Sequence, residues 1–383
     1  MSFTQFSFKI PGEVVFGQGS LAKLPGELEA RGINKVLLAS DRGLESAGMV
    51  KRVESILTDS GIRYSTFLDI EPNPSTETVV KGKDIFMENG LQAIVCLGGG
   101  SPMDTAKAIA VLVAGGGKVQ DYEGAFKVTG PVAPIVAIPT TAGTGSEVTP
   151  FAVITDREKN YKLTMFSYEL VPAVALLDPD LITSLPPLLA ASTGLDALTH
   201  AVEAYLSHAA SPFSDAMGEK AMELIGSWIR LFVANRSDLE AASGMLLGSM
   251  FAGIAFSWAR LGNVHAMAHP LGGFFNIPHG IANAVLLPTV MEYNALADRG
   301  KYEKIFNYIK DGKVIDGFTP DVLVREIRQL SSDLGIPANL TALGVDREYI
   351  HAMAVDAMKS GNIKINPRQT TIKDVEELYL RAM

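Results

Sequence analysis

Cysteine is all but missing from this sequence: Cys96 is the one thiol in 383 residues. That excludes a disulfide framework and a cysteine-rich zinc module alike. Positive charge is also short, with 33 Lys and Arg against 42 Asp and Glu for a net −9. A chain without a basic face does not neutralise phosphates, so no nucleic-acid partner is expected. The longest apolar runs, around 108–114 and 132–138, read as far short of the roughly 20 residues of a membrane span, and no membrane partner is expected. The first fifteen residues lack a basic stretch followed by an apolar one, so no signal peptide is predicted and the protein is expected in the cytoplasm. What is present, 47% apolar and 20% charged residues, is the composition of a folded globule, and the length predicts two or three domains.

The first half alternates β-branched runs with helical stretches. Lys35–Ser40, Ala93–Leu97, Ile135–Ile138 and Ala173–Leu177 are continuously apolar, as strands buried on both faces of a parallel sheet are. Cys96 lies inside one of them and is expected to act as a small hydrophobe. Helices are predicted at about Gly43–Ser60, Ser75–Gly90 and Ser101–Ala114, and extended segments at Phe6–Ile10 and Val14–Phe16. Beyond Pro186 and Pro187 almost everything reads as helix. Leu323, Ile327, Leu330 and Leu334 share one helical face, which Gly335-Ile336-Pro337 ends. The fold class expected is α/β: a parallel-sheet, dinucleotide-binding domain at 1–185 and an all-helical, metal-binding domain at 186–383.

Two loops follow predicted strands. In Gly98-Gly99-Gly100-Ser101-Pro102-Met103-Asp104 the glycines let backbone approach a phosphate, Ser101 reads as an N-cap, and Pro102 suits the first helical position. Asp104 falls three after that cap. The helix terminus behind them suits a pyrophosphate, although a plain strand-to-helix turn has the same composition. Thr140, Thr141 and Thr144 belong to a second, hydroxyl-rich loop, Pro139–Thr149. Two such loops at the carboxyl ends of neighbouring parallel strands favour a ligand. Asp41, beyond the first strand, is placed to accept from a ribose diol and repel a 2′-phosphate, or to cap a helix.

Histidine does not occur before His200. Asp196 and His200 are four apart in a helical context, as are His265 and His269, and His279 follows a loop. Spacing of four puts two side chains on one helix face. Two such pairs plus a third element point to a divalent metal, with five candidates for about four places, and spacing alone does not reject His269. Imidazole and carboxylate without thiolate suit Fe²⁺ or Zn²⁺. His208 and His351 lie outside both clusters and are expected at the surface or in the core.

The order GGGSPMDTAKAIA, PTTAGTGSEVT, TGLDALTHAVEAY and HAMAHPLGGFFNIPHGIANAVLLP resembles the iron-dependent (group III) alcohol dehydrogenases, which include lactaldehyde reductases and 1,3-propanediol dehydrogenases. The likeness runs nearly end to end. It implies reversible hydride transfer between a small primary alcohol or diol and NAD, with a catalytic metal in the cleft between the domains. It implies Asp196, His200, His265 and His279 as ligands of Fe²⁺ (Zn²⁺ being the alternative), and His269 as a catalytic residue beside substrate that relays protons. For NAD it implies Asp41, Asn73, Gly99, Gly100, Ser101, Asp104, Thr140, Thr141, Thr144 and Lys162. It also implies a homodimer or larger homo-oligomer, often joined through the N-terminal strand. One carboxylate and three imidazoles leave a divalent site at net +1, which favours ionisation of the alcohol. The chain departs from the family's usual residues at Trp258, Arg260, Ser360 and Asn362. Phe256, Trp258, Arg260 and Asn362 are accordingly expected to shape the substrate pocket, Arg260 favouring a polar or anionic group. The rival readings are a zinc glycerol-type dehydrogenase, a non-redox member of the wider superfamily, and a catalytically silent NAD-binding module.

Overall fold

The computed structural model describes residues 6, 8, 12–159 and 161–383, so most of the extended segment expected at 6–10 lies outside the described residues. The chain forms two compact units: Lys9–Thr141 with Gly145–Ile182, and Met1–Phe8 with Ala142–Thr144 and Thr183–Met383.

The first unit is α/β. Its strands are β1 (Glu13–Phe16), β2 (Lys35–Ala39), β3 (Arg63–Phe67), β4 (Ala93–Gly98) and β5 (Gly124–Ala125). They continue as β6 (Ile135–Pro139), β7 (Phe151–Asp156), β8 (Tyr161–Phe166) and β9 (Val174–Leu177). Its helices are α1 (Leu24–Glu29), α2 (Arg42–Ser46), α3 (Met49–Asp59), α4 (Thr76–Glu88) and α5 (Gly100–Gly115). Six strands make a parallel sheet in the order β1-β9-β6-β4-β2-β3, and β5-β8-β7 form a smaller sheet. Strand alternation divides the apolar runs between two cores. Val36, Leu38, Val95 and Leu97 join Val50, Val53 and Leu57 of α3. Leu37, Ala39, Ile94 and Cys96 join Val79 of α4 and Ile109 of α5. Burial pushes the Cys96 thiol far up from its ordinary pKa, which keeps it an inert hydrophobe.

Two local expectations are corrected. The helix expected over 43–60 is two helices, because Gly48 takes a φ of 76° between them. Ser101 is not the N-cap of α5: Gly99 is, with no side-chain cap. Asp104 turns instead to the neighbouring loop, accepting from Val153 N at 3.0 Å and Ser146 Oγ at 3.1 Å.

The second unit is helical: α6 (Pro187–Leu206), α7 (Pro212–Ala234), α8 (Leu239–Ala259), α9 (Asn263–Phe275) and α10 (His279–Asn294). It continues with α11 (Lys301–Ile309), α12 (Pro320–Asp333), α13 (Ile350–Ala357) and α14 (Ile372–Ala382). Leu323, Ile327 and Leu330 of α12 are buried as one face, and Gly335 takes a φ of 71° just beyond it. The expectation that no segment has the length and apolarity of a membrane span is also corrected. Helix α8 has 21 residues with a mean hydropathy of 1.5 over its most apolar window. Small residues such as Ala252, Gly253 and Ala255 interrupt its large apolar side chains, so the run is not obvious by eye. Two-thirds of that window is buried, and α8 packs against α6 and α7, as a core helix does.

A cation lies fully inside the α/β unit. Lys107 of α5 is 0% exposed, and its Nζ donates to the carbonyls of Ser146, Thr149 and Phe151 at 2.7–2.9 Å. It also reaches Ser146 Oγ at 2.9 Å and Thr149 Oγ1 at 3.2 Å. Burial pulls its pKa down to about 8, opposed by Asp104 and Glu147. This cation pins the 146–151 segment to α5. Lys107→Met leaves those acceptors unpaired and should destabilise the protein in urea unfolding by roughly 1–3 kcal/mol for each buried acceptor left unsatisfied.

Candidate active site

In the α/β unit the chain leaves β2 for β3 on one side of the sheet, whereas β4 leads on to β6 on the other. Between β2 and β4 the winding reverses, and it is at the carboxyl ends of the strands beside such a reversal that ligands bind in open α/β sheets. Asp41 ends one side and Gly98-Gly99-Gly100 the other, with Ser40 Oγ donating to Leu97 O at 2.9 Å between them. Gly98 has a φ of +155°, and a Cβ there would fall 2.5 Å from Pro102 Cγ. A Cβ on Gly99 would stand 3.2 Å from Thr141 Oγ1. Helix α5 therefore presents an N-terminus that no side chain caps, with backbone open to a close-lying anion.

Asp41 is the N-cap of α2, Oδ1 accepting from Leu44 N at 2.9 Å. Asn73, at φ 55°, accepts at Oδ1 from Lys162 Nζ at 2.7 Å. These two residues, which the residues' own chemistry did not single out, touch each other. Burial lowers the pKa of Lys162, with Asp104 opposing. Thr140 N donates to Gly98 O at 3.2 Å, joining the two loops.

The helical unit gathers the histidines. Asp196 and His200 come from α6, His265 and His269 from α9, and His279 opens α10. Asp196 Oδ1 lies 3.6 Å from His265 Nε2, 3.9 Å from His279 Nε2 and 4.0 Å from His200 Nε2. Among the described residues, Asp196, His265 and His279 form a group able to share one ion. His200 stacks on His265 with centroids 4.6 Å apart, and Phe256 covers its ring at 4.5 Å. His269 stacks on His279 at 5.5 Å. Gly280 makes the convergence feasible: a Cβ there would sit 2.5 Å from Ser192 O on α6.

Asp196 is 3% exposed. Burial would raise its pKa, but His200, His279 and the His265 hydrogen bond hold it well below the ordinary range. Burial draws His200 down to about 4. The same burial acts on His265, where hydrogen bonds that the ring donates to the carboxylates of Asp196 and Glu203 outweigh it and carry the pKa to about 9. A divalent cation fits Asp196, His265 and His279, while His200 stands beside that group. Bonds of about 2.0–2.2 Å in tetrahedral geometry put ligand atoms roughly 3.3–3.6 Å apart, and the separations from Asp196 Oδ1, 3.6–4.0 Å, are somewhat wider. His200 Nδ1 and Asn283 Oδ1 are buried beside the cluster without hydrogen-bond partners.

Two residues missed by sequence reasoning complete the cluster. Glu203 Oε2 meets His265 Nδ1 at 2.6 Å, and Asn283 Nδ2 donates to Asp196 Oδ1 at 2.6 Å while lying 3.1 Å from the Nε2 of His265 and of His279. The signal was spacing: Glu203 is seven after Asp196, and Asn283 is four after His279. Of the pocket residues expected from sequence, Phe256 lies against the cluster. Trp258 and Arg260 lie beyond it along the chain, at the end of α8, and Asn362 is on a turn at 361–365 that packs on α9. His208 is exposed, and His351 is exposed and paired with Glu376 at 2.6 Å.

The iron-containing alcohol dehydrogenase family profile matches residues 11–179, and that family's C-terminal profile matches residues 190–383. The chain belongs to the iron-containing alcohol dehydrogenases. It is 40% identical to the lactaldehyde reductase of Escherichia coli (strain K12), across 96% of this chain and 97% of that one. It is 35% identical to the NAD-dependent methanol dehydrogenase of Bacillus methanolicus, across 98% and 100%. A crystal structure of 1,3-propanediol oxidoreductase superimposes with a TM-score of 0.96 at 39% identity, covering 99% of this chain and 100% of the other. The protein is an NAD-dependent, metal-dependent oxidoreductase of alcohols and aldehydes.

Proposed function

We propose that the substrate is a small primary alcohol or diol, interconverted with its aldehyde, and that iron is held by Asp196, His200, His265 and His279. The observation that carries the ligand set is one buried carboxylate oxygen with three imidazole nitrogens within 4.0 Å of it. Divalent iron supplies Lewis acidity at the hydroxyl or carbonyl oxygen, and NAD takes or gives the hydride. The same donors accept Zn²⁺. His269, half-buried and stacked on His279, takes the hydroxyl proton toward solvent or returns it. Replacing His265 or His279 with Ala should remove both metal and turnover. His269→Ala should keep its metal, measured by elemental analysis after anaerobic purification, and lose roughly 10²–10⁴-fold in kcat, the usual worth of a proton-transfer group. The opposite pattern, metal lost with His269 and kept without His279, would sink the assignment.

For NAD the reading is contact with Asp41, Asn73, Gly99, Gly100, Ser101, Asp104, Thr140, Thr141, Thr144 and Lys162. The pyrophosphate lies at the uncapped start of α5, and Asp41 accepts from the ribose diol. Asp41→Gly should shift the kcat/KM ratio toward NADP at a stability cost of only a few tenths of a kcal/mol, because glycine is a tolerable N-cap. Equal use of NAD and NADP by the unmodified protein contradicts the premise. The reading includes a homo-oligomer in the cytoplasm. In support, β1 is an edge strand whose Val14 and Phe16 are exposed.

Phe256, Trp258, Arg260 and Asn362 shape the substrate pocket in this reading, with Arg260 drawing a polar or anionic substituent. Support comes from the backbone: Arg260 adopts φ 62° and ψ −171°, a region held almost entirely by glycine. Side chains persist there at a cost of about 1–3 kcal/mol, mostly at functional sites. Arg260→Gly should therefore raise the melting temperature while lowering kcat/KM selectively for a carboxylate- or sulfonate-bearing aldehyde over a plain one. A stabilised variant with unchanged preference returns Arg260 to the surface.

A further inference from the structure

Glu203 stands one further step along the face of α6 that carries Asp196 and His200, at i, i+4 and i+7. It is 6% exposed, and every contact described for its carboxylate is with the start of α9. Oε1 accepts from Val264 N at 2.7 Å; Oε2 accepts from His265 N at 3.4 Å and meets His265 Nδ1 at 2.6 Å. Gly262 leaves room for this approach, since a Cβ there would fall 2.9 Å from Oε1. On the other edge of the same ring, Nε2 faces Asn283 Nδ2 at 3.1 Å. The orientation of that amide is fixed by Asp196 Oδ1, which accepts from Nδ2 at 2.6 Å and would repel Oδ1.

We infer that Glu203 is a positioning residue that selects the ligating nitrogen of His265. An ionised carboxylate only accepts, so the proton of neutral His265 must sit on Nδ1, and Asn283 donates to the lone pair this leaves on Nε2. The pair thus presets the one tautomer in which Nε2 can bind a cation. A carboxylate behind an imidazole also raises the basicity of the ligand nitrogen, and losing such a partner typically weakens metal binding 10–100-fold. The inference rests on His265 being a ligand, as proposed above.

Glu203→Gln separates selection from mere anchoring. The N–H of Val264 requires an acceptor, so the glutamine oxygen stays at Oε1 and the amide nitrogen is turned toward His265 Nδ1. That donor drives the ring proton to Nε2, where it blocks coordination. The experiment measures Fe²⁺ and Zn²⁺ affinity anaerobically by chelator competition in the unmodified protein, Glu203→Gln and His265→Ala. It is paired with ¹⁵N spectra of histidine-labelled metal-free protein, recorded above the pKa of about 9 to which its carboxylate neighbours carry His265, so that the ring is neutral, and tractable with six histidines. The expected result is a 10–100-fold weaker affinity for Glu203→Gln at a melting temperature within a few degrees. The ring proton of His265 should be on Nδ1 in the unmodified protein and on Nε2 in the variant. Unchanged affinity and tautomer in Glu203→Gln, with His265→Ala losing metal, would show that Glu203 only anchors α9 and overturn the inference alone. Metal retained by His265→Ala would overturn the ligand assignment and the inference together. If Glu203→Gln does not fold, the unmodified spectrum decides: a proton on Nδ1 supports the inference and one on Nε2 overturns it.

Discussion

The buried carboxylate of Asp196 sets the terms for the helical unit. An isolated anion out of water costs many kcal/mol unless cations or donors surround it. Here three imidazoles and the Asn283 amide supply that company, drawn from α6, α9 and α10. Three helices can converge on one oxygen only if their backbones approach closely, and two glycines permit it. Gly280 brings the start of α10 onto Ser192 O, and Gly262 brings the start of α9 onto Glu203. These groups satisfy Asp196 but leave His200 Nδ1 and Asn283 Oδ1 buried without hydrogen-bond partners.

The α/β unit solves the inverse problem. It buries the cation Lys107, and the acceptors are mainly carbonyls of one segment rather than carboxylates. A carboxylate partner would satisfy the charge with fewer contacts but would not order a loop. Carbonyls three and five residues apart do, because each must point inward for the ammonium to be satisfied. Asp104, turned toward Ser146 and Val153, ties the same segment to α5 from another side. Its departure from the capping position leaves the first turn of α5 available to an anion. Loop order and an open helix terminus therefore have one cause.

How much of this was legible in the sequence depended on whether a residue's type or its partner carried the information. The strands β2, β4, β6 and β9 were plain because burial on both faces leaves a continuous apolar run. Strand β3, with Arg63, Ser65 and Thr66 at the edge of the sheet, has no such run, and the β7–β8 hairpin has a charged turn in place of a glycine signal. Asp196, His200, His265 and His279 stood out because histidine is scarce and has few ordinary uses at paired spacing. Glu203 and Asn283 were hidden, since a glutamate or asparagine on a helix usually faces solvent, and only the approach of α9 and α10 gives them partners. Lys162 likewise looks like any strand lysine until Asn73, far away in sequence, meets it. Ser101 misled because its type suits a cap, whereas the glycines before it let the helix begin earlier.

The two pairs of metal-candidate residues have identical spacing and different depths. Asp196 and His200 are both almost fully buried, at 3% and 5% exposure, so one helix face delivers both into the interior. His265 is 2% exposed, whereas His269, one turn further along α9, is only half-buried. A spacing of four fixes the direction in which two side chains point, not how far the helix has carried each from solvent. The same contrast separates two chemical uses of imidazole. A ring held between Glu203 and Asn283 has its proton assigned and its second nitrogen committed, which suits a ligand. A ring stacked on His279 with one side toward water can exchange its proton, which suits a relay. Depth along α9, rather than spacing, is what gives the two histidines different work.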